Sequence, residues 1–274
     1  MCQHSCESVS YRNDLQHEQH KSISTINLRI SALRAWCAWL VDQGHLPLDP
    51  AARVKLVSGA VGSKREGLSS SQVNALLRQA QASRDPARNY AIVQVLVQTG
   101  IRLSECSGLA FGDITFGERS GLLLTRAGKG NKVRSVPLNA SARDALAAYV
   151  APRLEVGKVS LKAVAAKWPK PPSPRSFEPM WLSQKGGALT TSAMGQMIAE
   201  LVEAAGELVS EETSAHHLRH TFARSYLAHY PGDLVGLAML LGHRSLDTTR
   251  LYSEPSVSQL ASRVERLSLN AYSG

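Results

Sequence analysis

The sequence predicts a mainly α protein with a small antiparallel β-sheet (α+β), the sheet lying within the larger of two regions. Three observations carry that expectation. Apolar residues recur at helical spacing along most of the chain. Strand-like patterning is concentrated around one glycine-rich tip, between about 121 and 138. Proline and glycine collect between 44 and 67, which separates a short first region, 1–63, from a longer second one, 64–274. With 274 residues, 43% of them hydrophobic and 19% charged, the chain has enough apolar material for a real core and too little charge for wholesale disorder.

Taken in order, residues 1–11 are polar, and the N-terminal stretch as far as His20 reads as a frayed tail. Cys2, His4, Cys6, His17 and His20 crowd that end, but their spacing fits no zinc-finger pattern, so no metal is assigned. Thr25 to Gln43 reads as one amphipathic helix. Ile26, Ile30, Leu33, Cys37, Leu40 and Val41 recur on it, and Gly44 ends it. Pro47 and Pro50 open an irregular linker to about Lys64. Ser69 with Gln72 forms a capping box for the next helix, and Asp85-Pro86 starts another that runs to Gly100. Leu122–Thr125 and Val133–Val136 flank Gly128-Lys129-Gly130-Asn131 as a β-hairpin. Without a Lys-Ser/Thr ending and a following helix, its tip is not a nucleotide-binding loop. Leu154 to Pro174, with Lys158, Lys162, Lys167 and Lys170, reads as an insertion or flexible loop. Helices are expected over Ser141–Val150, Thr191–Ala205, His216–Tyr230, Asp233–Leu241 and Val257–Leu267.

The charge balance narrows the partners. Lys and Arg number 31 against 22 Asp and Glu, a net charge of +9. Between residues 126 and 185 there are 12 basic and three acidic residues, so the excess is local and points to a polyanion such as nucleic acid. No run of about 18 apolar residues crosses a membrane, and the first residues carry no apolar signal core. Four cysteines are not a disulfide framework; Cys37 and Cys106 read as packed thiols.

Four separated clusters carry chemistry-bearing side chains. In Thr99-Gly100-Ile101-Arg102-Leu103-Ser104-Glu105, Arg102 follows a helix-ending glycine and Glu105 stands where it can orient the guanidinium. Lys129 occupies the hairpin tip. In His216-His217-Leu218-Arg219-His220, helical geometry puts positions 216, 219 and 220 on one face and His217 elsewhere. Leu241-Gly242-His243 is followed by Thr248-Thr249-Arg250-Leu251-Tyr252. Each cluster alone is weak, since isolated arginines are mostly surface ion pairs and lone histidines mostly structural. Together they suit phosphoryl transfer without a metal. Arginines clamp phosphate oxygens, His or Lys moves protons, and a tyrosine can serve as nucleophile.

These four strings, in this order, resemble the tyrosine site-specific recombinases, the phage-integrase family that includes the Xer recombinases. The resemblance covers about residues 66–255 specifically and reaches weakly back to about 21. It implies that Arg102 and Arg219 bind the scissile phosphate and that Lys129 protonates the leaving 5′-oxygen. It gives His216 acid–base duty, a phosphate hydrogen bond to His243, and attack through a 3′-phosphotyrosyl link to Tyr252. Glu105 and His220 then support the site, while Lys132, Arg134, Arg244 and Arg250 contact DNA backbone. It further implies double-stranded DNA as partner and neither metal nor other cofactor. The first 63 residues would be a partial helical core-binding region, and residues 256–268 a helix exchanged within a homotetramer. A cytoplasmic, nucleoid-associated site of action follows. The same parts also suit DNA relaxation by a type IB topoisomerase-like enzyme, or a DNA-binding regulator that has lost turnover.

Overall fold

A computed structural model describes residues 10–19, 21–57, 67–126 and 133–242. The chain falls into two compact units, 1–64 and 65–274. The expected tip of the hairpin and everything after Gly242, including the helix at 257–267, lie outside the described residues, as do Cys2, His4, Cys6 and His20.

In the first unit, α1 (Ile23–Asp42) is capped by Ser22, whose hydroxyl accepts from the Thr25 N–H. One face buries Ile26, Ile30 and Cys37 against Ala51 and Val54. Asn27 clips the returning chain by exchanging two hydrogen bonds with Val57, at 2.8 and 3.1 Å. The other face leaves Leu28, Trp36 and Trp39 exposed. The frayed-tail expectation is corrected for residues 10–19. These are helical, ending in a π-turn, Asp14–Glu18, and Leu15 is fully buried among the α1 side chains. A single apolar residue gives no periodicity to read, yet burial of one leucine contributes about 2 kcal/mol.

The second unit is built around α3 (Pro86–Thr99). Ala91, Ile92, Val93, Val95 and Leu96 are all buried, which a helix achieves only when neighbours cover several of its sides. Those neighbours are α2 (Ser70–Ala82), α5 (Ala140–Val150) and α8 (Ala215–His229). Helix α2 carries the expected Ser69/Gln72 capping box. Gly100 ends α3 in the left-handed region at φ +63°, and short α4 (Leu103–Ser107) follows at once. Ahead of α2 the chain is pinned to α8: the Leu68 N–H donates to Thr221 Oγ1 at 2.7 Å, and a Cβ on Gly67 would come within 2.7 Å of the Thr221 Cα.

The sheet has three strands rather than the two expected. β1 (Ile114–Phe116), β2 (Gly121–Arg126) and β3 (Val133–Pro137) run antiparallel in that order, with Leu123 opposite both Ile114 and Val136. Three residues are too few for alternation to show, so β1 was invisible in the sequence. Helices α7 (Thr191–Ala205) and α9 (Leu234–Leu241) also belong to this unit and lie close to their expected limits.

Residues 154–174 are not a loose insertion. They contain α6 (Leu161–Lys167), capped by Ser160, and Val164 is fully buried. Trp168 stacks on Phe116 with ring centroids 4.5 Å apart and meets Phe111 edge-on at 5.2 Å. The lysines lie on the exposed side and dominated the sequence pattern. Trp168→Ala should therefore destabilise the protein by about 3–5 kcal/mol, lowering Tm by roughly 10 °C. A calorimetric shift under about 2 °C would show that the segment is only loosely attached.

The basic excess of 126–185 is also redistributed. Arg143 donates to the carbonyls of Gly117 and Glu118, and Arg153 to those of Met180 and Pro179 while lying 4.6 Å above the Phe111 ring. Arg134 is likewise turned inward. Arginine forks can serve backbone carbonyls, so a count of charges overstates the surface they form.

Candidate active site: an arginine and histidine cluster at the end of α3

The site is assembled where α3 ends, α8 begins and α9 stops. The left-handed turn at Gly100 leaves its carbonyl to Arg219 and turns the chain into Arg102. The Phe222 and Leu241 side chains occupy the space a Cβ at Gly100 would need. Arg102 immediately precedes α4. Its backbone N–H donates to Glu105 Oε2 at 2.7 Å and its Nη1 to Oε1 at 3.0 Å. Its side chain remains 44% exposed, so a phosphate can reach it.

Arg219 comes from α8 and is 4% exposed. Nη1 donates to the Gly100 carbonyl at 2.7 Å and Nη2 to the Leu241 carbonyl at 2.8 Å. One guanidinium thereby joins the turn that carries Arg102 to the helix end that leads into His243. Both contacts go to carbonyls rather than to a carboxylate, so its positive charge is not neutralised by them.

Glu105 is the electrostatic hub. Arg134 from β3 binds it through two parallel contacts, at 2.8 and 2.7 Å, and Arg102 adds two more. Burial alone would raise its pKa. The hydrogen bonds from Arg134 and the Arg102 N–H, with the two positive charges, outweigh that and hold the carboxyl below its usual value. Four donors saturate the carboxylate, so it orients arginines and has no lone pair to spare for proton transfer.

The histidines divide as helical geometry predicts. His216 is exposed, and its ring meets that of buried His220 edge-to-face at 4.3 Å. His217 instead accepts the Ser214 N–H at Nδ1, 3.2 Å away, and so caps α8. Among the expected site residues the structure brings together Arg102, Glu105, Arg134 and Arg219, with His216 and His220 on the same helix as Arg219. Arg134, read from sequence as a contact to DNA backbone, has three of its five N–H groups on protein acceptors. Its signal was present: strand alternation puts it on the same face as buried Val136, where a charge needs a partner. Lys129, Lys132, His243, Arg244, Arg250 and Tyr252 lie outside the described residues.

Among the described residues no group of His, Cys, Asp and Glu is arranged to hold a metal ion, and no helix is long and apolar enough to cross a membrane.

A family model for the phage integrase family matches residues 66–259. A tyrosine recombinase XerC of Mycobacterium tuberculosis is 35% identical over 257 residues, which cover 89% of this chain and 76% of the relative. A XerC of Actinobacillus pleuropneumoniae is 30% identical over 247 residues, covering 89% and 72%. A XerD of Bradyrhizobium diazoefficiens is 33% identical over 272, covering 94% and 79%. Among solved structures, XerH recombinase bound to its palindromic difH substrate shares the fold at a TM-score of 0.72 and 23% identity, with 96% of this chain and 72% of that one covered. The Tn1549 transposon integrase in complex with circular-intermediate DNA does so at 0.68 and 21%, covering 96% and 85%.

Proposed function

Because the chain belongs to the phage integrase family of tyrosine recombinases, we propose that the arginine cluster is its DNA-cleaving centre and that Tyr252 is the nucleophile. The protein is a site-specific DNA recombinase. The observation that carries the assignment of the centre is the double reach of Arg219, which unites the Arg102 turn with the segment entering His243.

In this reading Arg102 and Arg219 hold the two non-bridging oxygens of the scissile phosphate. They stabilise the charge that develops in its five-coordinate transition state. The Tyr252 hydroxyl attacks phosphorus as His216 takes its proton. The bond to the 5′-oxygen breaks, and Lys129 supplies the proton that oxygen needs. His243 donates to a phosphate oxygen. A 3′-phosphotyrosyl bond is left, and a 5′-hydroxyl from the partner strand reverses the step. One phosphoester replaces another, so the bond energy is kept without ATP. Lys132, Arg244 and Arg250 contact backbone phosphates. Residues 1–63 act as a partial core-binding region, 64–274 as the catalytic domain. Helix 256–268 is donated to a neighbouring protomer in a homotetramer on paired sites.

A covalent trap tests the assignment. Nicked DNA drawn from the flank of the gene is incubated with protein and run on a denaturing gel. Protein is expected to stay attached to a 3′ end, and the adduct should vanish in Tyr252→Phe. Binding of that DNA without any adduct would favour a regulator that keeps the fold. On a closed supercoiled plasmid carrying a single, unpaired site, relaxation would favour a topoisomerase.

A further inference from the structure

We infer that Arg134 is a positioning residue for strand cleavage: it fastens the end of α9 to strand β3 and so holds in place the helix end that precedes His243 in the sequence. This rests on the assignment of the active site above. The last carbonyls of a helix have no partner within it. At the end of α9, two successive ones are taken by arginines from other elements. Arg219 holds Leu241, and the Arg134 Nε donates to the Leu240 carbonyl at 2.9 Å. The Nη groups of Arg134 are spent on Glu105, so it cannot swing away without breaking three contacts. Its side chain is 12% exposed and that of Glu105 5%, which leaves little water to replace those bonds.

Gly242 bears a second mark of the same device. It closes α9 in the left-handed region at φ +68°. A Cβ there would lie 2.6 Å from Arg134 Nη1 and 2.9 Å from its Cζ. The glycine before His243 is therefore needed twice, for its backbone angle and for the guanidinium packed over it. Arg134 also stands at the start of β3, two residues beyond Lys132. It ties the strand that returns from the hairpin tip to the segment that enters His243 and Tyr252. Lysine could keep the charge but not make this three-way contact, because its donors radiate from one atom.

The test is Arg134→Lys with two readouts. In the free protein, hydrogen exchange of amides 238–242 is expected to quicken, while those of α3 stay as in the wild type. On nicked DNA, the variant should bind normally but form the Tyr252 adduct about 10²-fold more slowly. A substrate with sulfur in place of the leaving 5′-oxygen separates the causes. A thiol ionises near pH 8.5, so it leaves without a donated proton. It should restore Lys129→Ala and leave Arg134→Lys slow. Full restoration of Arg134→Lys would mean that Arg134 acts through Lys129, and would overturn the inference. So would unchanged exchange at 238–242, or exchange raised equally across α3 and α8, which marks general loosening. A wild type that binds the DNA yet forms no adduct would refute the proposed function, and the exchange result alone would then decide the role of Arg134.

Discussion

Arg219→Lys is expected to abolish most cleavage while leaving DNA binding nearly intact. The Arg219 guanidinium does two jobs with one rigid plane. It braces the Gly100 and Leu241 carbonyls at 2.7 and 2.8 Å, and in the proposed mechanism it also holds a phosphate oxygen. Lysine can replace the charge but not both braces, because its donors share one nitrogen. Loss of one preorganised donor to a developing oxyanion typically costs about 10²–10³ in rate. Displacement of the His243 segment adds to that. Adduct formation on nicked DNA should therefore fall at least about 10³-fold, with affinity in a gel-shift changed less than about threefold. A variant within tenfold of the wild-type rate would remove Arg219 from the centre of the site.

Glu105→Gln carries the second large effect, this time on stability as well as rate. The substitution leaves Arg134 facing an amide that offers one oxygen and one N–H where there were two acceptors. Breaking a buried pair from one side costs about 3–5 kcal/mol. The pH dependence has a definite sign. The Glu105 pKa is held down in the folded protein, because the contacts from Arg134 and Arg102 outweigh burial. Its stabilising contribution is then fully present above the unfolded carboxylate value, about 4.3, and is lost as pH falls through the lower folded value. Denaturant titrations should find a constant gap between wild type and Glu105→Gln from pH 7 to about 5, closing below about pH 4. A gap that persists unchanged into acid would show that the carboxylate charge is not what holds the arginines.

Much of the site was legible because its residue types are chemically demanding and its spacings helical. Arg219, His216 and His220 fall on one face through the 3.6-residue period, and the same arithmetic set His217 apart. The structure then gives His217 a capping task, in which a ring nitrogen stands in for the usual side-chain oxygen. Helix ends marked by Ser69 with Gln72 and by Gly100 were readable for a similar reason, since a cap is settled within four residues. Leu15, Trp168 and strand β1 were not readable. Strand β1 is only three residues long, and Trp168 owes its place to partners distant in sequence, Phe111 and Phe116. Lysine-rich neighbours hid the buried side of α6.

Sequence by itself determined the helical class, most helix limits and the set of residues suited to phosphoryl transfer. These depend on local backbone preference and on side-chain chemistry, both of which act over a few residues. Tertiary structure decided which arginines stay open to solvent and which are turned onto the protein. Arg102 and Arg134 both bind Glu105, yet Arg102 is 44% exposed and Arg134 12%. No local pattern separates them, because the difference arises where β3 meets the end of α9, between residues 106 apart in the chain. A buried guanidinium is tolerated only where acceptors distant in sequence, carbonyl or carboxylate, converge on it, and that convergence exists only once the chain has folded.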